Sequence, residues 1–321
     1  MSWQEPVLQA LPQEIQGMIR RIPLNLLQDL EEIRIRENRP LMVHSQGKDY
    51  FVSKDGNINF RSEGAYHISQ EDTRKILQLI SDYSIYAFDE EIRNGYLTLK
   101  GGHRVGMAGK VVLENGFIRT MKYINSFNFR ISREIIGSAD KIMPYIISGK
   151  EICHTLILSP PQMGKTTLLR DIARKISDGF QGFPGMKVGI VDERSEIAGC
   201  WHGLPQRKVG IRTDVLDSCP KAAGIMMMIR SMSPKVIITD EIGREEDVTA
   251  IREALNAGIK IITSAHAASL QDACDRPFLS KVLANHTFDQ IAVLGDSLGV
   301  GTLEQVYIGK NHRQQLNTPL R

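Results

Sequence analysis

The sequence predicts an α/β chain: a doubly wound domain with a mostly parallel sheet and helices on both faces, preceded by a small α+β domain. Three observations carry this expectation. From about Gly149 onward, short continuous apolar runs recur at 155–158, 188–191, 236–239 and 259–263, as strands buried on both faces of a parallel sheet do. Between the first two runs, Leu168, Leu169, Ile172, Ala173 and Ile176 fall on one helical face. Before about residue 145 the texture differs, with short strand signals set among one or two helices, so the domains are placed at 1–145 and 146–321.

In the first part, a helix is expected around 13–22. A second opens at Ser69, where Asp72 three residues on completes a capping-box pattern, and Ile76, Leu77 and Ile80 give it an apolar stripe. Strand signals follow at 96–99 and 104–107. Two more, at 111–113 and 117–119, flank Asn115-Gly116, a strong hairpin signal. In the second part, the helix through Leu168 ends near Ser177-Asp178-Gly179. A further helix spans 246–257, with Val248, Ile251 and Leu255 inward and Gly258 as terminator. Met226, Met227 and Met228, with Ile225 and Ile229, predict an apolar helix packed into the core.

Composition narrows the function classes. With 40 basic against 37 acidic side chains the net charge is +3, too small to demand a polyanionic partner. No basic tract interleaved with aromatics marks a nucleic-acid surface, so no nucleic-acid partner is expected. Cys153, Cys200, Cys219 and Cys274 lie far apart without a C-x-x-C pair, which suggests buried or semi-buried free thiols in a reducing compartment. The N-terminus lacks the basic start and apolar core of a signal peptide, and no run approaches the ~18 apolar residues of a membrane span. A cytoplasmic protein is expected.

The chemistry concentrates in TLILSPPQMGKTTLLRDIAR, a strand, a tight loop and a helix opening at Gly164-Lys165-Thr166. A triphosphate needs backbone N–H groups around it, a helix N-terminus behind it, an ammonium on the β/γ oxygens and a hydroxyl on magnesium. Ser159, Pro160, Pro161, Gln162, Met163, Gly164, Lys165, Thr166 and Thr167 form the candidate cradle. Lys165 supplies the ammonium and Thr166 the hydroxyl. Ser159 departs from the G-x-x-x-x-G-K-[ST] pattern at its first position. The segment VIITDEIG then ends an apolar strand in Asp240-Glu241, the form of a Walker B element. Asp240 is the candidate magnesium ligand and Glu241 the group that polarises the attacking water, the arrangement of a RecA-like or AAA+ P-loop NTPase. ATP and Mg²⁺ are the expected cofactors.

Two further strand ends belong to this region. VGIVDERSEIAG runs into Asp192, Glu193, Arg194 and Glu196, acids expected to face the γ-phosphate side because ligands gather beyond the carboxyl ends of strands. KIITSAHAASL brings Ser264 and His266 to the next strand end, where His266 is either a γ-phosphate sensor or a loop histidine without chemistry. Cys200-Trp201-His202 offers too few ligands for a metal, and Arg34, Arg36 and Arg39 read as a solvated basic face.

Longer strings carry a family resemblance: EIRIRENRPL (31–40), EIRNGYLTLKGGHRVGMAGKV (91–111), NFRISREI (128–135), VDERSEIAG (191–199) and the stretch from 213 to 247 ending in TDEIGREED. With these the chain resembles the bacterial stage III sporulation protein AA family, relatives of type II and type IV secretion ATPases. The resemblance implies a mother-cell ATPase that docks on membrane-embedded sporulation channel components between mother cell and forespore. It also implies a homo-oligomer, a hexameric ring with nucleotide between subunits. Asp192, Glu193 and Glu196 would form its acidic box, with Glu193 the alternative catalytic base, and His266 the centre of its histidine box. Arg104 and Arg130 of the N-terminal domain would complete the site. Two other readings stay open: a nucleic-acid motor ATPase, and a nucleotide-binding scaffold without turnover.

Overall fold

The computed structural model describes residues 3–81, 88–285, 287–309, 313–314 and 318–320. They form two compact units, Met1–Arg133 and Glu134–Arg321. The boundary lies upstream of the change in texture near 145, because Ala139, Ile142 and Met143 are buried in the core of the second unit.

The first unit is α+β. In chain order it runs α1 (Gln4–Gln9), α2 (Gln13–Arg20), α3 (Leu24–Gln28), β1 (Leu30–Arg36), β2 (Met42–Ser45), β3 (Lys48–Val52), β4 (Ile58–Asn59), α4 (Gln70–Ile80), α5 (Asp89–Asn94), β5 (Tyr96–Leu99), β6 (His103–Glu114) and β7 (Phe117–Arg130). The strands pair antiparallel in the order β4-β3-β2-β1-β7-β6-β5. Ile33, Ile35, Val105, Phe127 and Phe129 share one buried core with Ile15, Met18 and Ile19 of α2 and Ile76 of α4. The capping box at α4 forms as its spacing predicts: the Asp72 amide donates to Ser69 Oγ at 3.2 Å, and the Ser69 amide donates to Asp72 Oδ2 at 2.9 Å. At the hairpin tip Asn115 and Gly116 both take positive φ, 52° and 81°. The short strand signals on either side of it fuse into the two long strands β6 and β7. Gly109 lets them bend together, since a Cβ there would meet the Lys122 carbonyl oxygen at 2.8 Å.

The second unit opens with α6 (Met143–Ile146), β8 (Ile147–Ser148), β9 (Glu151–Ile152) and β10 (Thr155–Ser159), then α7 (Lys165–Asp178), β11 (Gly179–Phe180) and β12 (Phe183–Pro184). It continues through β13 (Val188–Asp192), β14 (Thr213–Asp217), α8 (Lys221–Ser231), β15 (Val236–Glu241), α9 (Glu245–Asn256), β16 (Lys260–His266), α10 (Leu270–Asp275), α11 (Pro277–Ala284), β17 (Gln290–Gly295), β18 (Thr302–Ile308) and β19 (Arg313–Gln314). Among the described residues the main sheet has the order β14-β13-β15-β16-β10-β17-β18-β19, parallel from β14 to β17 and antiparallel beyond.

The apolar runs alternate between the two faces of this sheet, as the two-residue period of a strand requires. Ile157, Ile190, Ile238 and Ile262 join the core under α7. Leu156, Leu158, Val191, Ile237 and Ile261 join the core under α8, α9 and α11. This is the RecA-like P-loop core expected from the sequence. The methionine run is only partly in it: Met228 is buried, while Met227 is 51% exposed. Of the four thiols, Cys153 and Cys200 are buried but Cys274 is exposed.

Candidate functional site

Strands β10, β13, β15 and β16 all deliver their carboxyl ends to one side of the sheet, because a parallel sheet can do nothing else. There the second unit holds a cavity of about 760 Å³, lined among others by Gly164, Lys165, Thr166, Asp240, Glu241 and His266. Of the candidate cradle, Pro161, Gln162 and 164–167 line it. Ser159 is fully buried behind it.

The loop geometry explains its residues. Gly164 has φ 80°, the left-handed region that favours glycine, and stands immediately before α7. Gln162 also takes a positive φ, 64°, but Ser159 does not, so the first pattern position has no need of glycine here. The serine has a job instead. Lys165 Nζ donates to Ser159 Oγ and to its carbonyl oxygen, both at 3.1 Å, and to the Pro160 carbonyl at 3.0 Å. Burial lowers the Lys165 pKa to about 8, although Glu241 pulls the other way.

His266 joins the loop to β15. Its Nδ1 lies 2.8 Å from Lys165 Nζ and its Nε2 lies 2.7 Å from Glu241 Oε2. The same Nδ1 lies 3.3 Å from the Ser159 carbonyl, so the ammonium shares its three protons among the oxygens of Ser159 and Pro160 and this ring nitrogen. The histidine therefore lines the cavity between Lys165 and Glu241. Glu241 owes its aim to a β-bulge. Ile238 is in register with Ile262 but Glu241 with Ser264, so β15 carries one extra residue just before its end. Thr263 Oγ1 fastens the bulge by donating to the Asp240 carbonyl at 2.6 Å. An extra residue re-aims the side chains that follow it.

The acidic strand end behaves differently from expectation. Asp192 is fully buried and does not face the cavity: it accepts the Glu196 and Ala198 amides, each at 2.8 Å, and so folds its own loop. Burial raises its pKa to about 6 against those hydrogen bonds. Arg170 of α7 holds the same loop through the carbonyls of Glu196 and Ile197. Glu193 and Glu196 do line the cavity. Glu193 Oε2 lies 3.1 Å from Lys221 Nζ, and Asp240 Oδ1 lies 3.1 Å from the same ammonium.

Lys221 is the residue that motif reading missed. It is 4% exposed in the first turn of α8, on the stripe of Gly224, Ile225 and Met228. A lysine in a buried stripe is the available sequence signal. Burial works against its charge, but Asp240, Asp247 and Glu193 outweigh it and hold its pKa above the ordinary value. Burial likewise raises the Asp240 pKa, with Lys221 opposing.

Arg104 and Arg130 belong to the first unit, where they stand directly opposite each other on β6 and β7. The Arg104 guanidinium lies 3.7 Å from the centroid of the Tyr96 ring, and Arg130 is 3.9 Å from Glu32. Among the described residues no group of three or more His, Cys, Asp or Glu is arranged to hold a metal, which includes the Cys200 to His202 segment. Thr166 and Asp240 fit a more limited role. Mg²⁺ takes one or two hard oxygen ligands from protein and the rest from phosphate and water.

The sporulation stage III, protein AA family model matches residues 1–314. The chain belongs to this family. It is 46% identical over 301 residues to the stage III sporulation protein AA of Bacillus subtilis strain 168, covering 94% of each chain. Its fold is similar to that of the Legionella pneumophila ATPase DotB, with TM-score 0.54 and 14% identity over 91% of this chain and 76% of that one. It is also similar to the pilus retraction motor PilT solved with bound ADP, with TM-score 0.51 and 13% identity over 82% of this chain and 74% of that one. At such identities the likeness concerns the fold. Among the described residues no helix is long and apolar enough to cross a membrane.

Proposed function

We propose that the protein binds and hydrolyses Mg·ATP as an assembly or secretion-type ATPase serving the channel between mother cell and forespore. The observation that carries this reading is the convergence of Lys165, Thr166, Asp240, Glu241 and His266 on one cavity at the strand ends of a RecA-like sheet. Family membership supports the sporulation setting, and the fold shared with DotB and PilT supports a motor-type ATPase.

In this reading the amides of the loop up to Gly164 and the N-terminus of α7 hold the phosphates. Lys165 leaves its carbonyl partners for the β/γ oxygens. Thr166 and Asp240 hold Mg²⁺, which when bound neutralises charge on the phosphates. Glu241 takes the proton of the attacking water, and His266 orients that carboxylate. A subunit ring completes the site with Arg104 or Arg130 from the first unit. The chain works peripherally, against membrane-embedded components.

Steady-state turnover of the purified full chain tests this directly, with Mg²⁺, with and without single-stranded DNA, and beside a Lys165→Ala control. Turnover independent of DNA and absent from the control is expected. Stimulation by DNA favours a nucleic-acid motor, and nucleotide binding without turnover favours a scaffold.

A further inference from the structure

The Lys221 ammonium sits where the ends of β13 and β15 meet. It donates to Glu193 Oε2 and to the main-chain carbonyl of Glu241, and it lies 3.1 Å from Asp240 Oδ1, an ion-pair distance to a buried oxygen that itself accepts no hydrogen bond. The helix that carries it has little freedom to withdraw it. Gly224, one turn on, packs so closely that a Cβ there would come within 2.5 Å of Val191 Cγ1, on the strand that leads to Glu193. Burying an ammonium is costly unless it is paired, and this one is paired with two carboxylates of the cavity wall.

Without the lysine, two carboxylates would face one point with a combined charge of −2. Such a pair attracts any divalent cation, whether or not nucleotide is present. With the ammonium between them the combined charge is −1 and the space is filled. We propose that Lys221 is a built-in counter-cation that keeps free divalent ions off the Glu193–Asp240 pair, so that metal joins the site only together with nucleotide phosphate. The inference rests on the proposed function, which assigns Asp240 to the metal. The phosphates of an incoming nucleotide bring the negative charge that this pair lacks, together with oxygen ligands a metal needs. Lys221 thereby acts as a positioning residue, since it also fixes the main chain of Glu241.

The test is binding of Mn²⁺ to the full-length chain, read by electron paramagnetic resonance, with and without a non-hydrolysable ATP analogue. The wild-type chain should bind Mn²⁺ about tenfold or more tightly with the analogue than without it. Lys221→Met keeps the length of the stem and removes the charge. That variant should bind Mn²⁺ alone at least about tenfold more tightly than wild type does, a change of ~1.4 kcal/mol. Adding Asp240→Asn should abolish the gain. Wild type binding Mn²⁺ alone as tightly as with the analogue overturns the inference, as does a folded Lys221→Met chain with no gain. Should the variant fail to fold, as circular dichroism would show, the wild-type comparison decides alone. Fluorescence of a labelled ATP analogue separates this from the underlying reading. A wild-type chain that binds no analogue removes the nucleotide site itself, whereas analogue binding without the Mn²⁺ gain removes only the role of Lys221.

Discussion

Lys165 Nζ lies 2.8 Å from His266 Nδ1, so the lysine that opens α7 and the glutamate that ends β15 are connected through one imidazole, whose other nitrogen meets Glu241 Oε2 at 2.7 Å. In the proposed reading, Lys165 turning to phosphate breaks this connection at Nδ1 and leaves the link to Glu241 in place.

Lys165→Ala should leave the fold intact and reduce nucleotide affinity at least about tenfold, or ~1.4 kcal/mol. It deletes the one ammonium held at the loop mouth. Isothermal titration with ADP checks this, and unchanged affinity would remove the loop from the site.

Glu241→Gln should keep Mg·ATP bound and lower turnover by about 10² to 10⁴, since the amide preserves shape but cannot accept the proton of water. His266→Ala should lower turnover less, with KM nearly unchanged, because it frees Glu241 without removing it. Single-turnover kinetics separates the two. A Glu241→Gln chain that hydrolyses normally would move the base to Glu193.

Nucleotide affinity should weaken with rising pH. Burial depresses the Lys165 pKa to about 8, so in the free chain the ammonium is present below that pH and lost above it. Each further pH unit should cost about tenfold in affinity until the ordinary lysine range is passed. The same group makes folding more favourable as pH rises between the two values, because the unfolded chain then holds the extra proton. A binding curve flat to pH 9 would contradict the depressed pKa.

A chain of residues 134–321 should bind nucleotide yet lose most turnover, and Arg104→Ala or Arg130→Ala in the full chain should reproduce the loss without much effect on affinity. An arginine at the transferring phosphoryl group is worth ~10³ or more in rate. Turnover of the isolated unit equal to that of the full chain would make the first unit a docking module only. The cut should fall at 134 rather than 146. Starting at 146 strips buried Ile142 and Met143 from the core, each worth ~1.5–3 kcal/mol. It also removes the Gly137 and Ala139 amides that donate to buried Asp171.

The fold class was legible because β10, β13, β15 and β16 are built on continuous apolar runs, and α7 and α9 declare their buried faces by spacing. The loop before α7 and the Asp240-Glu241 end of β15 were legible because a strand running into a glycine and a helix start, and an apolar strand running into two acids, are local patterns. Asp192 was misjudged for a physical reason: a carboxylate at a strand end can turn outward to a ligand or inward to its own loop amides, and both look alike in one dimension. Lys221 was passed over because its partners lie 28 and 19 residues away in the chain, a lysine otherwise being an ordinary surface residue.

By itself the sequence determined the alternation of strands and helices, the strand, loop and helix around Gly164-Lys165-Thr166, and the acidic end of β15, since these follow from local periodicity. Only the tertiary structure decided the aim of the side chains. The β-bulge at β15, the bridge from Lys165 through His266 to Glu241, and the ammonium of Lys221 between Glu193 and Asp240 depend on the register of neighbouring strands and the close approach of α8 through Gly224. Distances of this kind are set by packing between elements far apart in the chain, and no local rule contains them.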